Sequence, residues 1–150
     1  MKYRVLLVDD DMIVRIFLQN MVRWESCGFE VCGVARDGGE AFAQYQNKHP
    51  DLILTDISMP QVDGIELILQ LRGHGYEGVI IVLSCHDDFG LVKNAMQAGA
   101  DDYLLKNHVD ENAMETLLST LRAKVEARYL HNQQKQLLQS RAQRGLSSLR

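Results

Sequence analysis

No apolar run in this 150-residue chain approaches the length needed to span a bilayer, and the one in MKYRVLLVDDD is too short for a signal sequence. A soluble, cytoplasmic protein with no membrane partner is the expectation. Cysteine is scarce: Cys27, Cys32 and Cys85 are odd in number and lack paired metal-ligand spacing, which excludes a disulfide framework and a zinc site. They are read as reduced thiols, Cys85 as a small buried hydrophobe. His49, His74, His86, His108 and His131 are scattered without ligand spacing, so surface or loop roles follow. Basic charge is missing from most of the chain. Residues 1–121 carry nine Lys/Arg against nineteen Asp/Glu, which leaves no basic face for nucleic acid, whereas residues 122–150 carry seven against one. That basic tail is read as a solvated helical linker. No repeat at a solenoid period is present.

What is there fits one globular domain: 46% hydrophobic and 24% charged residues, enough to bury a core. Short segments rich in Val, Ile, Leu or aromatics, at 4–8, 29–35, 51–56, 78–84 and 102–106, read as strands. Helical spacing lies between them, marked first by Ile13, Ile16, Phe17, Asn20 and Met21, and next by Ala41, Phe42 and Tyr45. Residues 64–72 and 89–99 supply the third and fourth helices, and a fifth starts near Asp110. Five β-then-α units imply a parallel sheet covered on both faces. Trp24 is assigned to packing, and Gly64 and Gly99 to backbone geometry.

In such a sheet, function collects beyond the carboxyl ends of the strands. The first strand ends in Asp9, Asp10 and Asp11, the third in Asp56, the fourth in Ser84 and the fifth in Lys106. Carboxylates that converge there suit a hard divalent ion, Mg²⁺ before others. A carboxylate can attack phosphorus, while a metal and an ammonium neutralise the phosphoryl oxygens and a hydroxyl bonds one of them.

The segments VLLVDDD, LILTDISMPQVDGIEL, VIIVLSCHDDF and AGADDYLLK resemble the motifs of response-regulator receiver domains, the phosphate-accepting modules of two-component signalling. The resemblance covers residues 3 to about 125. It implies a flavodoxin-like (βα)5 fold with strand order 2-1-3-4-5. It implies Asp56 as the phosphorylated residue, Asp9 and Asp10 as the acidic pair, and the Ser58 backbone carbonyl as a further metal ligand. Ser84 would be the switch hydroxyl, Lys106 the phosphoryl-contacting amine and Tyr103 the switch aromatic. The partner implied is a sensor histidine kinase, and the product a signalling switch rather than an enzyme. LSCHDDF and DDYLLK are most similar to receivers fused to AraC-like helix-turn-helix domains, so DNA would be met only through an output domain that residues 126–150 are too few to form. A homodimer through the fourth helix, fifth strand and fifth helix is expected around Leu91, Lys93, Asp101, Asp102 and Arg122. A Mg²⁺-dependent phosphohydrolase and an inert pseudo-receiver are the alternatives. The first needs a second acid two residues past the nucleophile, where Ser58 stands; the second conflicts with the complete site set.

Such receivers usually have proline after the conserved lysine. Asn107 follows here, and a cis non-proline bond costs roughly 2.5–4 kcal/mol, so a trans Lys106–Asn107 peptide is expected. Residues 1–125 form the receiver in this reading and 126–150 a helical linker or tail. One helix is expected from 110 to about 138, its second half projecting from the domain, because good helix formers dominate and no proline interrupts.

Overall fold

The computed structural model describes residues 2–20, 23–59, 62–85, 88–106 and 111–148, with backbone alone for 111–114 and 144–148. Met21, His86, His108, Asp110 and the Lys106–Asn107 peptide lie outside the described residues. Five strands, β1 (Tyr3–Val8), β2 (Phe29–Ala35), β3 (Leu52–Asp56), β4 (Val79–Ser84) and β5 (Asp102–Leu105), alternate with five helices. The helices are α1 (Met12–Asn20), α2 (Gly38–Lys48), α3 (Gly64–Gly73), α4 (Phe89–Ala98) and α5 (Glu111–Ser148). All strand pairs are parallel, in the order 2-1-3-4-5. This is the expected flavodoxin-like arrangement.

The period of two along each strand divides the core. Val5 and Leu7, Leu52 and Leu54, and Val79, Ile81 and Leu83 face Leu18 of α1 and Leu118, Leu121 and Val125 of α5. Leu6 and Val8, Ile53, and Ile80 and Val82 face Ala41 of α2, Leu67, Ile68 and Leu71 of α3, and Ala95 of α4. Each such Val, Leu or Ile side chain, fully buried, contributes about 1.5–3 kcal/mol by leaving water. The sheet is therefore rigid where β1, β3 and β4 meet, and their carboxyl ends inherit that rigidity. Trp24 packs as expected: its Nε1 donates to the Leu18 carbonyl at 2.7 Å and its ring meets Phe29 edge-on. The α2 and α3 helices start on Asp37 and Asp63, which accept from the backbone N–H of Glu40 and Glu66.

Two expectations are corrected. Cys85 is exposed, because β4 ends at Ser84 and the chain leaves the sheet there. The α5 helix runs to Ser148, through Gly145, since a lone glycine costs a helix only about 1 kcal/mol and no proline follows. Residues 133–143 of its second half are exposed, as a projecting helix requires, but the stretch nearer the domain is held down. Arg128 donates to Asp101 and to the carbonyls of Glu77 and Gly78, Asn132 to the Glu77 carbonyl, and Lys135 pairs with Glu77 at 2.7 Å. Tyr129 sets its ring edge-on against Tyr3, 5.6 Å between centroids. The basic charge of this segment is thus engaged on the acidic domain as far as Lys135. No described helix is long and apolar enough to cross a membrane.

Gly64 and Gly99 serve backbone geometry, as read. A Cβ on Gly64 would stand 2.4 Å from the Asp56 carbonyl oxygen and 2.8 Å from the Ile57 Cα. A Cβ on Gly73, at the other end of the same helix, would meet nothing within 4 Å. Gly64→Ala is therefore expected to destabilise the domain by about 1–3 kcal/mol, and Gly73→Ala to be neutral or stabilising by up to about 1 kcal/mol. Urea denaturation midpoints of the two variants against the parent chain check both signs.

Candidate functional site

The carboxyl ends of β1 and β3 are adjacent because the strands pair in register, Val8 opposite Thr55. Asp9 and Asp56 follow from that pairing, and both are buried. Asp10 stays exposed at the rim, and one oxygen from each of the three carboxylates lies within 4.8 Å of the others. Lys106, one residue past β5, reaches over this group: its Nζ is 3.2 Å from Asp9 Oδ2 and 3.2 Å from Asp56 Oδ1. The strand-end reasoning that joined Asp9, Asp10, Asp56 and Lys106 thus describes one cluster.

Electrostatics show the tension in it. Burial and then the neighbouring Asp9 push the Asp56 carboxyl from its ordinary 3.8 up to about 7, against the pull of Lys106. Burial also raises Asp9, opposed by the Asp11 backbone N–H and by Lys106. Burial works against the charge of Lys106, but Asp56 and Asp9 outweigh it and hold its ammonium above the usual value. Among the described residues one cation stands between two buried anions, which leaves the cluster short of positive charge. Asp9 Oδ2 shows the same shortage: apart from the ion pair it receives no well-directed hydrogen bond among the described residues.

Ser84 ends β4, fully buried, and its Oγ has no hydrogen-bond partner among the described residues. An orphaned buried hydroxyl costs about 1–3 kcal/mol and asks for a reason. Ser84 also lines a cavity of about 160 Å³ with Cys85, Asp88, Phe89, Val92, Lys93, Tyr103 and Leu105. The Tyr103 side of that cavity is open, the residue being 43% exposed. Ser58 is exposed, and its backbone N–H donates to Asp56 Oδ1 at 3.4 Å.

Asp11, the third acid of the opening run, does something else. It accepts the Ile13 N–H at 2.9 Å and starts α1, the ordinary task of an Asp before an apolar periodic segment. Two supporting residues were not found by reading the sequence. Arg15 donates to the Asp9 carbonyl at 2.8 Å, and the buried Thr55 hydroxyl donates to the Asp56 carbonyl at 3.0 Å. Arg15 lies one helical turn past Asp11 and Thr55 directly precedes Asp56, but neither position bears a pattern that marks it. Of the residues expected at a dimer face, Asp101 and Arg122 are engaged within the chain. Asp101 pairs with Arg72 and Arg128, and Arg122 stacks over the Tyr3 ring at 5.5 Å. Leu91, Lys93, Asp102 and Tyr103 remain exposed.

A family model of the response regulator receiver domain matches residues 5–119. Chemotaxis protein CheY of Bacillus subtilis is 32% identical over 121 residues, covering 81% of this chain and 99% of that protein. The uncharacterised transcriptional regulatory protein YesN of the same organism is 35% identical over 115 residues, covering 77% of this chain and 31% of YesN. Response regulator MprA of Mycobacterium tuberculosis is 38% identical over 123 residues, covering 82% of this chain and 50% of MprA. The chain therefore spans half or less of YesN and MprA. Among solved structures, the receiver domain of AraT, a response regulator of Geobacillus stearothermophilus, has a TM-score of 0.75 at 30% identity, covering 89% of this chain and 99% of that one. The Borrelia burgdorferi complex of CheX, CheY, beryllofluoride and Mg²⁺ has a TM-score of 0.64 at 28% identity, covering 86% and 87%. With its fold, its four strand-end groups and a family match over more than two thirds of its length, this chain belongs to the response regulator receiver domains of two-component signalling.

Proposed function

We propose that this chain is a phosphoryl-operated switch in which Asp56 takes phosphoryl from a histidine kinase, and that the output is transcription regulation through a domain outside these residues. The observation that carries it is the cluster of Asp9, Asp10 and Asp56 under a single ammonium. The cluster fits Mg²⁺: its donors are hard carboxylate oxygens, it lacks positive charge, and its geometry brings three oxygens near one another. Asp9, Asp10, Asp56 and the Ser58 carbonyl would hold the ion. When bound it would offset negative charge on the phosphoryl oxygens.

The protein's own groups divide the work. Asp56 supplies a carboxylate oxygen that forms the new bond to phosphorus as the bond to the donor's histidine nitrogen breaks, and the imidazole leaves with that electron pair. Lys106, already 3.2 Å from Asp56, faces one phosphoryl oxygen as a positive charge. Ser84 is the hydroxyl that bonds another, which gives its orphaned Oγ a partner and the buried position a purpose. Drawing Ser84 toward the phosphate frees space on the side of Tyr103, whose ring borders the same cavity. Met12, Ile13 and Ile16 form an exposed apolar face on α1 directly after the acids, suited to a helical partner that delivers the phosphoryl. Ser58 in place of a second acid two residues past Asp56 supports a switch over a phosphohydrolase. The finer kinship, with receivers fused to AraC-like domains, rests on LSCHDDF and DDYLLK.

Three measurements test this reading. With acetyl phosphate or a kinase and Mg²⁺, intact mass is expected to show one added phosphate, absent in Asp56→Asn; equal labelling of that variant would exclude Asp56. Without metal, the Asp56 carboxyl is raised from 3.8 to about 7, so its protonated form is favoured in the fold. The stability of the parent chain relative to Asp56→Asn should therefore fall as pH rises through about 4 to 7, and stay low above it. Urea denaturation in chelator across that range checks the slope, and Mg²⁺ is expected to restore the loss at the alkaline end. Finally, beryllofluoride with Mg²⁺ is expected to move the protein toward a dimer through the exposed residues Leu91, Lys93, Asp102 and Tyr103. Ser84→Ala should weaken that shift while leaving metal binding intact. An unchanged monomer in sedimentation velocity, with beryllofluoride binding established, rules out the dimer.

A further inference from the structure

At the opposite end of the sheet from the acid cluster, α5 presents Lys124, Arg128, Asn132 and Lys135 along one face, spaced four, four and three residues apart. All four are occupied by the domain. Lys124 Nζ donates to the Asp101 carbonyl at 3.2 Å, and Arg128 Nη2 to Asp101 Oδ1 at 2.7 Å. Arg128 Nη1 and Asn132 Nδ2 donate to the Glu77 carbonyl at 3.3 Å and 3.0 Å, and Lys135 Nζ lies 2.7 Å from Glu77 Oε1. The Lys135–Glu77 pair is half exposed and by itself holds little. Asp101 is different. Its side chain is 13% exposed, and its second oxygen accepts the Ile80 N–H at 2.9 Å and Arg72 Nη2 at 3.0 Å. Two guanidiniums therefore converge on one partly buried carboxylate, the kind of hydrogen-bonded charge whose loss is costly.

Asp101 directly precedes β5, a strand of four residues, and Lys106 follows that strand. The anchor of the α5 extension and the amine that faces Asp56 thus stand at the two ends of one strand of four residues. Tyr103 lies between them.

We propose that Lys124, Arg128, Asn132 and Lys135 form a clasp that fixes the direction in which α5 leaves the domain, and that Asp101, shared by the clasp and β5, couples that direction to the state of Lys106. The first half stands on the contacts alone; the second rests on the phosphoacceptor reading above. An unclasped extension would be an isolated helical segment, marginal in water, and would open locally without the rest of the domain.

Native hydrogen exchange on the full chain, read by peptide mass, tests both halves. In the parent chain the amides of 126–135 are expected to be protected like those of 117–125. Arg128→Gln is expected to speed exchange at 126–140 at least about tenfold while β1, β3 and β4 keep their protection. Unchanged exchange at 126–140 overturns the clasp, and uniform acceleration across the strands shows a general stabilising role instead and overturns it equally. Lys135→Glu should speed exchange beyond 132, and adding Glu77→Lys should reverse that; no reversal counts against the clasp, and this pair decides the matter if Arg128→Gln does not fold. Beryllofluoride with Mg²⁺ should then protect residues 56–59 in both chains, and change exchange at 126–135 at least about threefold in the parent chain only. Protection at 56–59 without change at 126–135 overturns the coupling and leaves the phosphoacceptor reading standing. No protection at 56–59 overturns that reading and the coupling together, with the clasp judged by the first comparison.

Discussion

Two buried carboxylates, Asp9 and Asp56, share one ammonium, and that imbalance governs the domain. A fold optimised only for stability would place apolar groups at the carboxyl ends of its central strands, since each buried anion must be offset by partners. Here the partners are incomplete. Lys106 stands between the two acids, Asp9 also takes the Asp11 N–H, Asp56 the distant Ser58 N–H, and Asp56 remains far from its ordinary acidity. A site held short of positive charge is one that responds when positive charge or a new anion arrives.

Holding such a site in place requires a scaffold that does not relax. The strands β1, β3 and β4 are apolar on both faces and buried between two helical layers, so the acids cannot withdraw into solvent by bending the sheet. Gly64 lets the start of α3 close against the backbone of Asp56 and Ile57, and the Thr55 hydroxyl occupies the Asp56 carbonyl. Lys106 alone among the charged groups comes from the sheet's edge, next to a strand of four residues none of which is buried, whereas the adjoining β4 is buried throughout. The rigid part of the site is the set of acids; the adjustable part is the amine.

Reading the sequence recovered what depends on short-range pattern. Strand ends were visible because apolar runs stop at polar residues, and in a parallel sheet those ends gather at one edge. Asp9, Asp56, Ser84 and Lys106 were placed that way, and their neighbours in space followed from topology. Asp11 could not be separated from Asp9 and Asp10 by pattern, because three successive acids look alike until the helix start is known. Cys85 directly follows an apolar strand, and pattern alone does not show that the chain leaves the sheet before it. The docking of α5 was invisible for a different reason: Arg128, Asn132 and Lys135 find their partners at Glu77 and Gly78, some fifty residues earlier, and no periodicity encodes a contact at that separation.

The packing of Tyr129 on Tyr3 has a consequence for the order in which the chain can assemble. The strand β1 is central, with β2 and β3 on its two sides, yet one of its faces is closed by α1 and by residues 118–129 of α5. During synthesis from the amino end, that face stays open until nearly the whole domain has emerged. Parallel pairing and closure between the first and last elements both require long loops to close before contacts repay them, which slows folding. The nascent chain therefore carries an apolar sheet face, Tyr3, Val5 and Leu7, that α1 covers in part and only the last helix completes, and this interval is when the protein is most exposed to aggregation.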